Sequence, residues 1–253
     1  MAAFLDMPDS ARESATGPRV FATTRWSVVL AAGERESAPG QQALETLCRT
    51  YWYPIYVYVR RKGYGPEEAQ DLTQEFFAQL IAKNHFRLAD RDKGRFRTFL
   101  LTMLDHFLAR EWNRAHRQKR GGQFAFVSLD QPTPEERYRL EPADNETPEK
   151  KFTKQWALAV LQNALGALEK ECELAGKYAL FAETREFLSE DPENGAYIGI
   201  GQRLGMTEGA IRVAVHRLRR RYGELLRGEV AQTVLTASEA EDEFRYLKEV
   251  LRE

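Results

Sequence analysis

The sequence predicts an all-α protein built from two small helical domains, joined by an acidic linker that contains prolines. Strand signals are almost absent, because no two alternating apolar runs are joined by a tight Asn-Gly or Asp-Gly turn. Apolar residues instead recur at steps of three and four, which is the period of an amphipathic helix. The length of 253 residues suits one large or two small domains.

The composition is that of an ordinary soluble protein, with 43% hydrophobic and 30% charged residues. The net charge of -1 does not point to any class of binding partner, whereas the distribution of charge along the chain is informative. No apolar run approaches the ~20 residues of a membrane span, and the N-terminus lacks the pattern of a signal peptide. Cys48 and Cys172 are isolated, which suits a reducing compartment. We therefore expect a cytoplasmic protein without cofactor, metal or membrane contact.

The first domain is expected at residues 21–122, after a flexible stretch at residues 1–20. A short helix should begin with Thr23 or Thr24 as its N-cap, because a threonine oxygen can accept from the free N–H groups of a first turn.

A long amphipathic helix is predicted over residues 41–63. Pro54 lies inside it and should kink or divide the helix near Tyr53, because proline removes one backbone hydrogen bond and crowds the preceding turn. Gly63 and Gly65 should then end the helix.

Two further helices complete the first domain. One starts at Pro66 and has Glu67 and Glu68 in its first turn, where acidic side chains are favoured. Its apolar residues share one face: Ala69, Leu72, Phe76, Phe77, Leu80 and Ile81. The next begins near Gly94 and ends at Gly121, and its core face holds Phe96, Phe99, Leu100, Met103, Phe107 and Leu108.

Residues 123–150 differ in character, since they are punctuated by four prolines and rich in carboxylates. This composition is typical of a linker or docking segment between two domains. The acidic residues are Asp130, Glu135, Glu136, Glu141, Asp144, Glu146 and Glu149.

The second domain is expected at residues 151–228, followed by an acidic C-terminal extension at residues 229–253 that should form one short helix. The first helix of the second domain should bury a face of leucines, namely Leu158, Leu161, Leu165 and Leu168. A second helix should cover residues 177–188 and precede a turn.

Residues 197–221 match the pattern of a helix-turn-helix. Gly205 occupies the turn, where a positive φ is required, and Gly201 falls where the two helices cross closely. Thr207 can cap the second helix, which Ile211 and Val215 should hold in place. The side chains expected to face a DNA major groove are Thr207, Glu208, Gly209, Arg212, Val213, His216 and Arg217. Arg219, Arg220 and Arg221 are better placed for phosphates.

A second basic face is predicted on the helix that starts near Gly94. This face combines basic side chains with a tryptophan. Aromatic rings stack on unpaired bases and basic groups hold the strand, so the combination indicates binding of single-stranded nucleic acid. The alternative is a helix end whose cations merely complement the dipole. The candidates are Arg95, Arg97, Arg110, Trp112, Asn113, Arg114, Arg117, Lys119 and Arg120.

In order, these segments resemble regions two and four of the extracytoplasmic-function sigma factors of bacterial RNA polymerase. The resemblance covers roughly Arg25 to Arg227, and "DLTQEFF" with "LGMTEGAIRVAVHRLRRR" are its most specific pieces. The longer stretch between Cys172 and Ala196 and the acidic C-terminal extension depart from the family pattern. Whether either is a docking site for a regulator or a self-inhibitory element is left open.

The resemblance implies a protein with two DNA contacts and one polymerase contact. The helix from Thr207 to Arg221 would recognise the minus-thirty-five duplex, and the helix from Arg95 to Arg120 would capture the minus-ten strand. "DLTQEFF" would dock on the clamp helices of the polymerase largest subunit, with the flap of the second subunit as a further contact. An anti-sigma factor or other regulator is left open as a partner. The implied docking residues are Asp71, Leu72, Gln74, Glu75 and Phe76.

Two other classes of function remain as alternatives. A stand-alone helix-turn-helix regulator, whose N-terminal helices sense a ligand or dimerise, would bind duplex tightly without polymerase. An enzyme is disfavoured because the four histidines form no metal-binding pair and no phosphate loop or serine elbow is present. Asp105, His106 and Glu111 could form a catalytic group, but His106 is better explained as an edge-of-core residue.

Overall fold

The structure, a computed structural model, describes residues 32, 37–89, 95–117, 133–141, 146–189, 195–231 and 237–251. Every regular element in these ranges is helical, which confirms the all-α prediction for them. The α-helices are α1 (Ala38–Arg61), α2 (Pro66–Ala82), α3 (Phe96–Arg117), α4 (Pro134–Arg139), α5 (Pro148–Leu174), α6 (Tyr178–Thr184), α7 (Ala196–Leu204), α8 (Glu208–Val230) and α9 (Ala237–Val250), with short 3₁₀ helices at His85–Leu88 and Arg185–Leu188.

The predictions for residues 1–20 and for a helix capped by Thr23 or Thr24 lie outside the described residues. The same holds for Lys119 and Arg120, and the helix that carries them is described as far as Arg117.

Helix α1 is one continuous helix through Pro54, so of the two predicted outcomes, a kink or a division near Tyr53, the division does not occur. The Ser37 hydroxyl caps its start by accepting from the N–H of Gly40 at 3.1 Å. Every residue from Tyr53 to Val59 is buried. Proline inside a helix costs about 3 kcal/mol, whereas full burial of one large apolar side chain contributes about 1.5–3 kcal/mol. Burial of this whole stretch therefore outweighs the local cost of the proline.

The ends of α1 and α2 confirm the predicted boundaries. Gly63, two residues after the end of α1, adopts φ +99°, a conformation that residues with a Cβ rarely adopt. Pro66 stands in the first turn of α2, followed by Glu67 and Glu68. The apolar face of α2 packs toward α3, and the buried members of the two helices are Ala69, Phe76, Phe77, Leu80, Phe96, Leu100, Leu104, Phe107 and Leu108.

Helix α5 lies along α1, and the residues that it buries differ from the predicted leucine face. Leu158, Leu161 and Leu165 are only partly buried. The fully buried face follows a step of four and holds Phe152, Trp156, Val160, Ala164, Leu168 and Cys172. Near the middle of this contact, the Asn163 amide donates to the Thr50 hydroxyl at 2.9 Å.

The described part of the acidic segment packs on α1. Thr133 and Glu136 form a reciprocal capping box that starts α4. Three tyrosines of α1 donate to carboxylates: Tyr53 to Glu141 at 2.7 Å, Tyr56 to Glu135 at 2.7 Å, and Tyr58 to Asp105 at 3.0 Å. Two of these carboxylates belong to the acidic segment, so hydrogen bonds hold it against α1.

One continuous cluster of buried side chains includes residues of α1, α2, α3, α5, α8 and α9. Helices of both predicted domains therefore contribute to the same core, and the division into two domains stays a prediction. The predicted C-terminal helix is present as α9, and its Phe244 and Leu247 are buried in this cluster.

No helix in the described part of the chain is both long and apolar enough to cross a membrane.

Candidate nucleic-acid interface

The turn between α7 and α8 requires glycine at two positions, as predicted. Gly205 has φ +65° and ψ +31°, which lies in the left-handed region. A Cβ added to Gly201 would lie 2.6 Å from the carbonyl oxygen of Met206, inside any ordinary contact distance. The N–H of Met206 in turn donates to the carbonyl of Gly201 at 2.8 Å. Helix α7 therefore approaches the turn at a distance that only a residue without a side chain permits.

Helix α8 is fixed to α7 by a small apolar cluster. Ile211 and Val215 are buried against Ile200, with Tyr197 and Met206 packed around them. The Thr207 hydroxyl caps α8 by accepting from the N–H of Ala210 at 3.2 Å. These contacts confirm the predicted inward face and cap, and they orient the opposite face of α8 toward solvent.

That outward face carries the predicted base-contacting residues. Arg212, Val213, His216 and Arg217 are exposed, and 48% of the surface of Val213 is open to solvent. Arg212 donates to Glu208 at 2.7 Å one turn earlier. An exposed pair of this kind contributes only about 0.3–0.5 kcal/mol, so Arg212 can exchange it for a base edge at little cost. An exposed valine can contact the methyl group of thymine.

The three consecutive arginines lie in different surroundings. Arg219 donates to the carbonyl of Phe187 at 2.6 Å. Arg221 donates to both carboxylate oxygens of Glu171 on α5, at 2.7 and 2.8 Å. Arg220 is exposed and pairs with Glu224 at 3.7 Å. The prediction of phosphate contacts therefore fits Arg220 best, because Arg219 and Arg221 brace α8 against its neighbours.

The last turns of α3 form a second exposed basic and aromatic surface. Trp112 is 55% exposed, and Arg110, Asn113 and Arg114 beside it are exposed as well. Arg114 pairs with Glu111 at 3.4 Å, and the Asn113 amide donates to the carbonyl of Ala109. Arg117 is the last residue of α3. A large aromatic ring open to solvent among cations is the arrangement on which unpaired bases stack.

Arg95 and Arg97, which are also predicted to bind a strand, lie at the other end of α3. Arg97 is buried, and Arg95 is half-exposed beside it. Both pair with Glu243 of α9, a buried carboxylate that the sequence interpretation missed. Burial, with a smaller effect of Arg95, lowers the pKa of Arg97 to about 10, so its guanidinium stays charged at neutral pH. Arg97 is therefore not exposed in this structure, and its role in binding a strand stays a prediction.

The predicted polymerase-docking face on α2 is exposed only in part. Asp71 and Glu75 are exposed, while Leu72 and Gln74 are partly buried. Phe76 is 2% exposed and packs against the rings of Phe77 and Phe107, with centroids 5.8 and 5.6 Å away. Phe76 is therefore a core residue beneath this face, and the exposed part of the face is acidic.

The two carboxylates considered for a catalytic group both contact other residues. Asp105 accepts from Tyr58 and pairs with Lys62 at 3.4 Å, whereas Glu111 pairs with Arg114. His106 is exposed and not at the edge of the core, which corrects the prediction for this side chain.

Comparison with known proteins adds no assignment: no protein-family model, curated protein or solved structure matches this chain.

Proposed function

We propose that this protein is a promoter-specificity subunit of bacterial RNA polymerase, of the extracytoplasmic-function sigma type, acting in the cytoplasm. The observation that carries the proposal is the helix-turn-helix. Its turn glycines, cap and apolar cluster agree with one another, and its outward face presents Arg212, Val213 and His216. This is the geometry with which a recognition helix enters the major groove.

The second exposed surface separates a sigma-type subunit from a simple repressor. A repressor needs only a duplex contact, whereas Trp112 with Arg110 and Arg114 suits a strand whose bases are unpaired. Each base stacked on an aromatic side chain is worth about 1–3 kcal/mol. Each step of DNA stacking costs about 1.4 kcal/mol to open. Capture of a few bases therefore offsets the opening of a few base pairs, and no catalytic group is needed.

The acidic face of α2 supplies the polymerase contact in this proposal. Asp71 and Glu75 are separated by one helical turn and are both exposed, so they present two carboxylates on one face. A subunit that works within a larger complex need not bind DNA tightly by itself, which agrees with the small number of base-contacting candidates on α8.

Binding to core RNA polymerase tests the docking assignment. We expect the wild-type chain to co-elute with core enzyme in gel filtration and the Asp71→Lys/Glu75→Lys variant to lose at least tenfold in affinity. A charge-matched control, Glu173→Lys/Glu186→Lys, changes two other exposed carboxylates and should bind like wild type. Circular dichroism checks that all three proteins are folded.

Two outcomes would contradict the proposal. If the Asp71→Lys/Glu75→Lys variant keeps wild-type affinity, the docking face is wrongly assigned. If the wild-type chain has no affinity for core enzyme but binds a duplex tightly on its own, the protein is a stand-alone helix-turn-helix regulator.

A further inference from the structure

Helix α9 places a buried carboxylate on the two arginines at the start of α3. Glu243 is 1% exposed, and one of its oxygens lies 3.0 Å from a guanidinium nitrogen of Arg95. Its other oxygen pairs with Arg97. One carboxylate thus engages two neighbouring cations, which is the way a DNA phosphate is held by paired arginines.

Aromatic rings surround the same arginines. The guanidinium carbon of Arg97 lies 4.8 Å from the ring centroid of Trp156 on α5 and 4.6 Å from that of Tyr246 on α9. Arg95 also lies over Tyr246, at 5.5 Å. If α9 is removed, two arginines and the Trp156 ring remain on the body of the protein. This is a set of cations and an aromatic ring that suits a nucleic-acid strand.

Stability alone is a poor explanation of Glu243. Its neighbours along α9, Phe244 and Leu247, are buried apolar residues. Replacing a buried ion pair by packed apolar side chains is often neutral or stabilising, because both charges lose their hydration. A buried carboxylate in this position is more readily explained by a role in which it is exchanged for another anion.

The charge of α9 fits such an exchange. Residues 237–251 contain five acidic and two basic side chains, so the helix is itself an anionic ligand. Its contacts with Arg227 of α8 are weak, because Arg227 is exposed. This arginine lies 3.6 Å from Glu241 and 4.8 Å from the centroid of the Phe244 ring.

We propose that α9 is an internal competitor for single-stranded DNA, in which the Glu243 carboxylate occupies the place of a strand phosphate on Arg95 and Arg97. Docked α9 closes this end of α3, and a strand binds there only when α9 leaves. The inference rests on the proposed function, because it assumes that α3 holds the strand along its length.

The first experiment compares the affinities of full-length variants for a fluorescent single-stranded DNA oligonucleotide. Glu243→Gln removes the competing charge and should bind more tightly than wild type. Glu249→Gln is the matched control, with the same change in charge at an exposed position of α9, and should stay within about twofold of wild type.

Salt dependence gives the expected size of the effect. Each phosphate contact on a single strand adds about 0.7 to the slope of log K against log salt, so two freed arginines should add about 1.4. The advantage of Glu243→Gln over the control should then shrink about sevenfold between about 50 and 200 mM salt. In an Arg95→Ala/Arg97→Ala background, Glu243→Gln should give no gain. Equal affinities and slopes for Glu243→Gln and the control would overturn the inference.

Hydrogen exchange on the wild-type chain tests the same competition without a substitution. Saturating single-stranded DNA should accelerate exchange of the α9 amides and leave the α5 amides unchanged. Undiminished protection of α9 would overturn the inference, because the helix would then stay docked beside the bound strand.

These results separate the inference from the proposed function. Competition without polymerase binding would leave the inference standing and contradict the sigma assignment. Promoter-specific initiation without competition would contradict the inference alone.

Discussion

Gly201 and Gly199 provide a sharp test of the helix-turn-helix geometry, because both lie in α7 and are only two residues apart. An alanine Cβ at Gly201 would lie 2.6 Å from the Met206 carbonyl oxygen, a backbone atom that cannot move by changing rotamer. Carbon and oxygen make contact from about 3.3 Å, so the turn would have to move by roughly 0.7 Å. At Gly199 the closest atom is the end of the flexible Arg203 side chain at 3.6 Å, an ordinary contact.

The two substitutions should therefore change the free energy of unfolding in opposite directions. Overpacking costs typically about 1–3 kcal/mol, and loosening the hydrogen bond from Met206 to Gly201 adds about 1 kcal/mol. Alanine regains about 1 kcal/mol of helix propensity at either position. We expect Gly201→Ala to destabilise by about 1–3 kcal/mol and Gly199→Ala to stabilise by up to about 1 kcal/mol.

Urea unfolding followed by circular dichroism measures both effects. With an m-value of about 2 kcal/mol/M, the midpoint of Gly201→Ala should fall by roughly 0.5–1.5 M. The midpoint of Gly199→Ala should stay level or rise. If Gly201→Ala unfolds at or above the wild-type midpoint, the close approach of α7 to the turn is wrong, and the assignment of α8 as a recognition helix loses its basis.

Three further predictions concern binding, stability and pH. Changing Arg212 to Ala should weaken the free energy of DNA binding by about 1–3 kcal/mol and change the base preference at one upstream position. A loss of affinity that is equal for all sequences would instead indicate a phosphate contact. A selection from randomised promoters distinguishes the two outcomes. Gly209→Ala meets open space and should stabilise α8 by up to about 1 kcal/mol, measured by urea unfolding, and a destabilised variant would contradict the described backbone. Burial and the hydrogen bond to Asp105 raise the pKa of Tyr58, so this group stabilises the fold below its ordinary pKa near 10 and its contribution is lost as pH rises above that value. Urea midpoints from pH 8 to pH 11 should fall less steeply for Tyr58→Phe than for wild type, and identical slopes would refute the linkage.

Local signals predicted most of the helix-turn-helix. The glycine at the turn, the small residue at the crossing and the threonine cap each act within a few residues, so the sequence pattern determines them directly. The same holds for the ends of α1 and α2, where Gly63 and Pro66 take the predicted positions.

Local rules failed where tertiary packing decides the outcome. Pro54 breaks no helix, because the buried side chains around it stabilise α1 more than the proline weakens it. The buried face of α5 is set by its contact with α1. Trp156 and Val160 are therefore buried, whereas the spacing of the leucines alone predicts a different face.

The sequence was least informative about the surroundings of Arg95 and Arg97 at the start of α3. Arg97 and Glu243 are far apart in the chain, and a charge pattern cannot reveal which distant carboxylate a cation meets. One signal was present, since Phe244 and Leu247 mark an apolar face of α9 that needs a partner, and Glu243 lies next to it. The tyrosines of α1 and the carboxylates that they meet were missed for the same reason.

Run-off transcription with core RNA polymerase tests the central claim most directly. Core enzyme supplied with the wild-type chain should start transcripts at defined positions on a mixture of promoter fragments, and core enzyme alone should not. The Asp71→Lys/Glu75→Lys variant should give no specific transcripts, while Glu173→Lys/Glu186→Lys should match wild type. Binding of the chain to core enzyme without any specific initiation would contradict the claim that this protein directs promoter recognition and melting.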